Sequence, residues 1–186
     1  MVLTDFSSQY PTINSLLGNR EVLIAESLSF EDATADVQAL VDKITLDDCF
    51  KPSYWKKMKF FARIRPDEDT LPVRAEYSDD GITKNIGVNY FTSKEPVWLS
   101  GPDVIASKLL AGKVPRIEKA IRMVPHGRQK GLKATSLRGM VVVDPRKHDL
   151  FQVMVEQKQV YKTSNEAYLT FSRYAQIRLV TECSSS

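Results

Sequence analysis

The chain has 186 residues, 42% of them hydrophobic and 26% charged, with a net charge of +3. This size and composition predict a folded protein with one sizeable core rather than a disordered chain. No apolar run approaches the roughly 20 residues that cross a bilayer, and the start of the chain lacks the pattern of a signal peptide. We therefore expect a cytoplasmic protein without a membrane partner. With Cys49 and Cys183 far apart and only two histidines, neither a disulfide framework nor a zinc site is predicted.

The first third of the chain alternates predicted strands and helices. Residues 2–5 are predicted as a short buried strand that ends in Asp5. Pro11 suits the first turn of a helix, and Gly18 suits the stop after it. Residues 21–30 are predicted as a strand. Residues 31–43 are predicted as a helix capped by Ser29, with an apolar stripe formed by Ala35, Val37, Leu40, Val41 and Ile44.

The rest of the chain is richer in predicted strands. Residues 59–65 and 71–77 are expected to form a hairpin, and further strands are predicted at residues 85–91, 97–100, 117–124 and 137–143. Helices are predicted at residues 101–111, stopped by Gly112, and from about residue 148 past residue 161. The predicted fold class is α+β, with a mixed or antiparallel sheet and flanking helices.

The segment from Leu3 to Ile13 carries the most specific motif of the chain. It resembles motif A of family B DNA polymerases, whose pattern is Asp-x-x-Ser-x-Tyr-Pro-Ser/Thr-Ile. The matching positions are Asp5, Ser8, Tyr10, Pro11, Thr12 and Ile13. The resemblance implies a partial polymerase palm in residues 1–150, with motif A at residues 1–18. It also implies that residues 151–186 contain a C-terminal helix that starts the fingers region.

The resemblance implies a template-directed nucleotidyl transfer by a two-metal mechanism. Asp5 would be the catalytic residue and would bind Mg²⁺ together with the backbone carbonyl of Phe6. Carboxylate and carbonyl oxygens are the ligands that Mg²⁺ prefers. Tyr10 would exclude a 2′-hydroxyl and so select deoxynucleoside triphosphates. The expected nucleotide-binding residues are Phe6, Ser7, Ser8, Gln9 and Tyr10, with Lys158 and Lys162 reaching the triphosphate from the C-terminal helix.

Charge is strongly segregated along the chain. Residues 26–48 contain seven acids and one base, whereas residues 113–138 contain eight bases and one acid. A separated distribution of this kind indicates a surface that meets a polyanion on one side, although a solvated surface explains most single charge runs. The Gly-containing basic loop with Arg128, Lys130 and Lys133 is the candidate DNA-binding segment. Residues 54–61 interleave aromatics with lysines, and there a buried aromatic core with solvated lysines is favoured over base stacking.

Two motifs that the polymerase reaction needs are missing from the sequence. Neither the Asp-Thr-Asp turn, which supplies the second catalytic carboxylate, nor the fingers pattern of a lysine followed by Asn-Ser-x-Tyr-Gly occurs. The chain is therefore expected to be a truncated or split polymerase piece that is inactive unless a second polypeptide completes the site. The alternatives are a non-catalytic nucleic-acid-binding module and an unrelated structural or scaffold protein.

Overall fold

The computed structural model describes residues 8–76, 84–137 and 141–160, except for the side chains of residues 74–76 and 84–86. It confirms the α+β class, with antiparallel sheets and flanking helices. The predicted strand at residues 2–5 lies outside the described residues.

The described residues form seven α-helices, one 3₁₀ turn and eight strands. The helices are α1 (Gln9–Leu16), α2 (Arg20–Ile24), α3 (Thr34–Lys43), α4 (Leu46–Cys49), α5 (Pro52–Trp55), α6 (Gly101–Ala111) and α7 (Leu150–Val160), and the 3₁₀ turn is Lys56–Met58. The strands are β1 (Ser27–Asp32), β2 (Phe61–Arg65), β3 (Asp69–Glu76), β4 (Lys84–Phe91), β5 (Val97–Ser100), β6 (Arg116–His126), β7 (Thr135–Leu137) and β8 (Val141–Val143). None of the described helices is long and apolar enough to cross a membrane.

The chain folds into two compact units, and one of them is discontinuous in sequence. Unit 1 contains Met1–Leu28 and Pro125–Ser186, and unit 2 contains Ser29–Val124. The second unit is thus inserted between the two segments that build the first. The domain boundary that the sequence places at residue 150 stays a prediction.

Unit 2 is built around a sheet with the strand order β1-β6-β2-β5. Central strand β2 alternates exposed or half-buried residues with buried Ala62 and Ile64, so one face of the sheet is covered. Helices α3 and α6 pack in this unit and bury Val37, Val41 and Val104. The same alternation leaves the other face of β2 toward solvent.

The predicted hairpin between residues 59–65 and 71–77 is wrong. Strand β2 pairs antiparallel with β5 on one edge and with β6 on the other. Because both edges of β2 are occupied, β3 cannot join it and pairs instead with β4, from Asp69↔Phe91 to Glu76↔Lys84. The two strands are correct, but β2 pairs with strands distant in sequence, whereas β3 pairs with the next strand along the chain, β4.

Three predicted elements of the chain need correction. Residues 20–24 form helix α2 instead of a strand, since the consecutive apolar residues there fit either period. Helix α3 begins at Thr34 rather than at residue 31, because Ser29 lies in β1 and Asp32 accepts a hydrogen bond from the Thr34 N–H at 2.9 Å. The single strand predicted at residues 137–143 is two antiparallel strands, β7 and β8.

Candidate nucleic-acid interface

Helix α1 presents the part of the motif that the structure describes. Ser8 has left-handed backbone angles, with φ 61°, and its side chain makes no capping hydrogen bond to the helix. Pro11 is buried, whereas the Tyr10 side chain on the same turn is 55% exposed. A non-glycine residue in this conformation costs on the order of 1 kcal/mol and is found at functional sites more often than elsewhere. The first turn of α1 therefore offers an exposed aromatic ring beside a strained entry.

Helix α1 packs against α7, which the sequence places more than a hundred residues later. The Ser15 hydroxyl, near the end of α1, donates to Asp149 Oδ2 at 2.9 Å, and Asp149 directly precedes α7. Helices that pack side by side from this joint must run antiparallel. The Tyr10 end of α1 and the Lys158 end of α7 consequently lie at the same end of the pair, with Lys158 about one turn beyond Tyr10.

Asp149 is a positioning residue that the sequence does not reveal. Its Oδ1 accepts the Phe151 N–H at 2.9 Å and thereby caps α7, while Oδ2 accepts the Ser15 hydroxyl. An Asp at a helix start is an ordinary capping signal, so only the structure shows its second contact. The two carboxylate oxygens fix the start of α7 and its position beside α1.

Arg20 holds the turn that leads into α7. Its Nε–H donates to the His148 carbonyl at 2.9 Å, and its Nη2 donates to the Pro145 carbonyl at 2.8 Å. Within the same turn, the Arg146 backbone N–H and then its side chain lower the pKa of Asp144.

The cleft beside this turn has a volume of about 150 Å³. Nucleotide-sized ligands occupy pockets of roughly 300 Å³ or more, so this cleft is too small for one.

The basic loop after β6 presents three exposed cations in unit 1. Arg128, Lys130 and Lys133 form no ion pair with any described carboxylate. Gln129 anchors the loop to the end of α2, because its side-chain amide donates to the carbonyls of Leu23 and Ala25, each at 3.1 Å. The loop thus keeps its charges in solvent while its backbone is attached.

Gly127 allows the close approach at the base of the basic loop. Its φ is +64°, and an added Cβ would lie 2.9 Å from Glu26 Oε2. Both facts favour glycine here, so a glycine before the basic run is explained by local geometry. The Glu26 side chain thus lies against the base of the loop.

The metal site implied by motif A lies outside the described residues. This is true of Asp5, Phe6 and Ser7, and also of Lys162. Among the residues that are described, no group of three or more His, Cys, Asp or Glu side chains could hold a metal ion. A carboxylate with a backbone carbonyl suits Mg²⁺ in kind, but the described part of the chain adds no further ligand cluster.

The aromatic and basic segment at residues 54–61 is only partly buried, so the favoured aromatic core stays a prediction. Phe60 is buried, and the Trp55 indole N–H donates to the Cys49 carbonyl at 2.9 Å. Lys57 lies over the Tyr54 ring, 4.2 Å from its centre. Tyr54 and Trp55 are half-buried, and 39% of the Phe61 side chain is exposed.

Comparison with known proteins adds no relative to this description. No protein-family model, no curated protein and no solved structure matches the chain. A functional assignment therefore depends on the residues themselves. The structure places the described candidates of motif A, the basic loop and the C-terminal helix in unit 1.

Proposed function

We propose that the chain is a palm segment of a family B-like DNA polymerase that needs a second polypeptide to become active. The observation that carries the proposal is that two segments distant in sequence form unit 1 together. The motif A segment and the C-terminal helix, separated by unit 2 in sequence, belong to one unit and meet through the α1–α7 pair. A palm interrupted by an insertion before the fingers requires this arrangement.

The candidate residues would each contribute to binding the nucleotide. The uncapped N-terminus of α1 suits a phosphate, because its first N–H groups carry partial positive charge. Tyr10 would lie under the sugar and exclude a 2′-hydroxyl, and Lys158 would add a positive charge at the same end. Asp5 and the Phe6 carbonyl would hold Mg²⁺, which would neutralise the triphosphate and polarise its phosphorus–oxygen bonds. The second polypeptide would supply the missing carboxylate.

The test measures binding of radiolabelled dGTP to the full chain by equilibrium dialysis, with and without MgCl₂. We expect weak binding that depends on Mg²⁺ and that falls at least about tenfold in Asp5→Asn, since one metal ligand is lost. The Tyr10→Ala variant should bind GTP nearly as well as dGTP. The exposed loop residue Glu95 provides the matched control, and Glu95→Gln should bind dGTP like the parent protein.

A second candidate, a non-catalytic nucleic-acid-binding module, is favoured by the exposed basic loop. In that case dGTP would not bind, and duplex DNA would bind with an affinity that falls steeply with salt and is indifferent to Asp5→Asn. Replacing Arg128, Lys130 and Lys133 with glutamine should then reduce the salt slope by about 1 for each phosphate that the protein no longer neutralises. The same change at Lys43, Lys56 and Lys147, three exposed lysines elsewhere, should leave the slope unchanged. Absence of both dGTP and DNA binding would contradict both candidates.

A further inference from the structure

The face of the unit 2 sheet that includes exposed Phe61 carries aromatic and basic side chains in rows across three strands. The register places Trp98 of β5 and Lys119 of β6 on either side of Arg63 in β2. In the next row, Ser100 and Ile121 lie on either side of Phe61. Because cross-strand neighbours share a face, these side chains project from the same side of the sheet. We call this surface the outer face.

Both aromatic rings of the outer face are accessible. Phe61 is 39% exposed and Trp98 is 47% exposed, although rings of this size on a sheet are normally packed. Trp98 is opposite Arg63, two residues from Ser100, which is opposite Phe61, so the two rings are diagonal neighbours. Diagonal neighbours on an antiparallel pair are about 7–8 Å apart, within reach of each other's side chains. The outer face therefore presents two adjacent ring surfaces to solvent.

The charges around the rings are predominantly positive. Arg63, Arg65, Arg116 and Lys119 contribute four cations, with Arg65 and Arg116 forming a third cross-strand row. Glu118, at the β-bulge in β6, is the acidic residue of these rows, and it pairs with Arg65 at 2.7 Å and Arg63 at 3.4 Å.

Neighbouring groups compensate part of this positive charge. The Arg63 Nε–H is buried and has no hydrogen-bond partner within the described structure, and the single Glu118 carboxylate is shared between the guanidiniums of Arg63 and Arg65. The pKa of Asp32 at the far edge is lowered by the Thr34 N–H and hydroxyl, and Lys119 adds a smaller contribution. Lys119 is therefore partly offset by Asp32, whereas the charge nearest the rings is only partly compensated.

We propose that the outer face binds single-stranded DNA, with successive bases stacked on Phe61 and Trp98 and the backbone held by the surrounding cations. Exposed rings bordered by Arg and Lys are the combination by which proteins bind unpaired strands without sequence preference. An apolar protein partner would leave these cations without a matching charge. The choice of DNA over RNA rests on the proposed polymerase function, whereas the stacking itself does not.

The test uses the fluorescence of Trp98. The chain contains two tryptophans, so Trp55→Phe leaves Trp98 as the single emitter. Titration of this variant with a twelve-residue oligo(dT) should quench its emission, because a stacked base contacts the indole. An oligomer of equal length and charge with abasic sugars should quench little and bind at least about thirtyfold more weakly, since stacking contributes roughly 1–3 kcal/mol for each of the two bases.

Exposed aromatics elsewhere in unit 2 provide matched controls. In the parent protein, Trp98→Ala and Phe61→Ala should each weaken oligo(dT) binding about tenfold. Tyr90 is 82% exposed on β4, outside the outer face, and Tyr90→Ala should bind like the parent. Circular dichroism of each variant distinguishes removal of a stacking ring from unfolding of the unit, and Trp98→Phe should restore most of the affinity.

Three results would overturn the proposal. The first is equal binding of the abasic oligomer, and the second is tighter binding of oligo(U) than of oligo(dT). The third is Trp98 emission that ignores DNA but shifts with protein concentration, which would assign the outer face to a second copy of the chain. Because Asp5→Asn should leave oligo(dT) binding intact, failure of the polymerase proposal is distinguishable from failure here.

Discussion

At the scale of single residues, Asp149 determines whether the candidate nucleotide site can exist. The side chain caps α7 through Phe151 and fixes α1 through Ser15. Tyr10 and Lys158, the described candidates for contact with the nucleotide, lie on the two helices that this carboxylate joins. A residue outside the proposed nucleotide contacts thus joins the two helices that carry the candidate residues.

Asp149→Ala should lower the free energy of unfolding by about 2 kcal/mol, because it removes a helix cap and a hydrogen bond to a charged group. Asp149→Asn should lie within about 0.5 kcal/mol of the parent, since an amide can still cap α7 and bond the Ser15 hydroxyl. Ser15→Ala should cost about half as much as Asp149→Ala. Urea denaturation measures all three. Alanine and asparagine variants that are both as stable as the parent would show that neither contact matters.

At the scale of elements, the short helix α4 of unit 2 depends on its cap. Helix α4 has only four residues and bears a capping box, in which the Thr45 hydroxyl and the Asp48 carboxylate satisfy each other's backbone N–H groups. Lys51 forms an ion pair with Asp48 at 2.8 Å. Hydrogen bonds from Lys51, and then from Thr45, lower the pKa of Asp48 from 3.8 to about 2.

The capping box should therefore loosen in strong acid. A carboxyl whose pKa is lower in the folded chain stabilises it above pH 3.8, and this contribution is lost as the pH falls toward 2. Lys51→Met should move the pKa of Asp48 back toward 3.8, because the largest cause of the shift is removed. Lys56→Met, on the neighbouring 3₁₀ turn, should not change it. NMR titration of the Asp48 carboxyl carbon is the measurement, and a parent pKa near 3.8 would contradict the capping geometry.

The elements that the sequence predicts well are those that local signals define at both ends. Helix α6 begins and ends where Gly101-Pro102 and Gly112 indicate, and Gly112 has the left-handed φ of 69° expected of a stop. Helix α2 has no such signal, since Val22, Leu23 and Ile24 fit a strand as well as a helix. The predicted β2–β3 hairpin is wrong because strand pairing depends on partners far away in sequence, which periodicity does not report.

The same limit applies to the candidate sites. The motif residues and the basic loop are visible as sequence patterns, and their placement in unit 1 is a property of the fold. Neither the Ser15–Asp149 contact nor the Gln129 anchor has a sequence signal, because each joins distant segments. The outer face has no sequence signal for another reason. Its rings come from strands β2 and β5, and only the register shows that Phe61 and Trp98 share one face.

At the scale of the whole molecule, the two units have separate sets of buried residues. Unit 1 buries Phe151 and Met154 of α7 with Ile24 of α2, whereas unit 2 buries residues of its sheet and of α3 and α6. Unit 1 also depends on segments at both ends of the chain, and unit 2 on one continuous segment. Unit 2 therefore has the more local contacts and is the unit expected to form independently.

This difference predicts which unit loses protection from amide hydrogen exchange when a buried side chain is truncated. Phe151→Ala should speed amide hydrogen exchange in α1, α2 and α7 and leave unit 2 protected, because it opens a cavity worth about 3–5 kcal/mol in unit 1 alone. Ile105→Ala, a matched change in α6, should expose unit 2 at a cost of about 2–5 kcal/mol. It should also speed exchange in unit 1, since the two segments of unit 1 are joined through the inserted unit. Exchange followed by mass spectrometry resolves the two patterns. Loss of protection throughout the chain in Phe151→Ala would mean that the units share one cooperative core, and unchanged unit 1 in Ile105→Ala would mean that its two ends associate without help from the insertion.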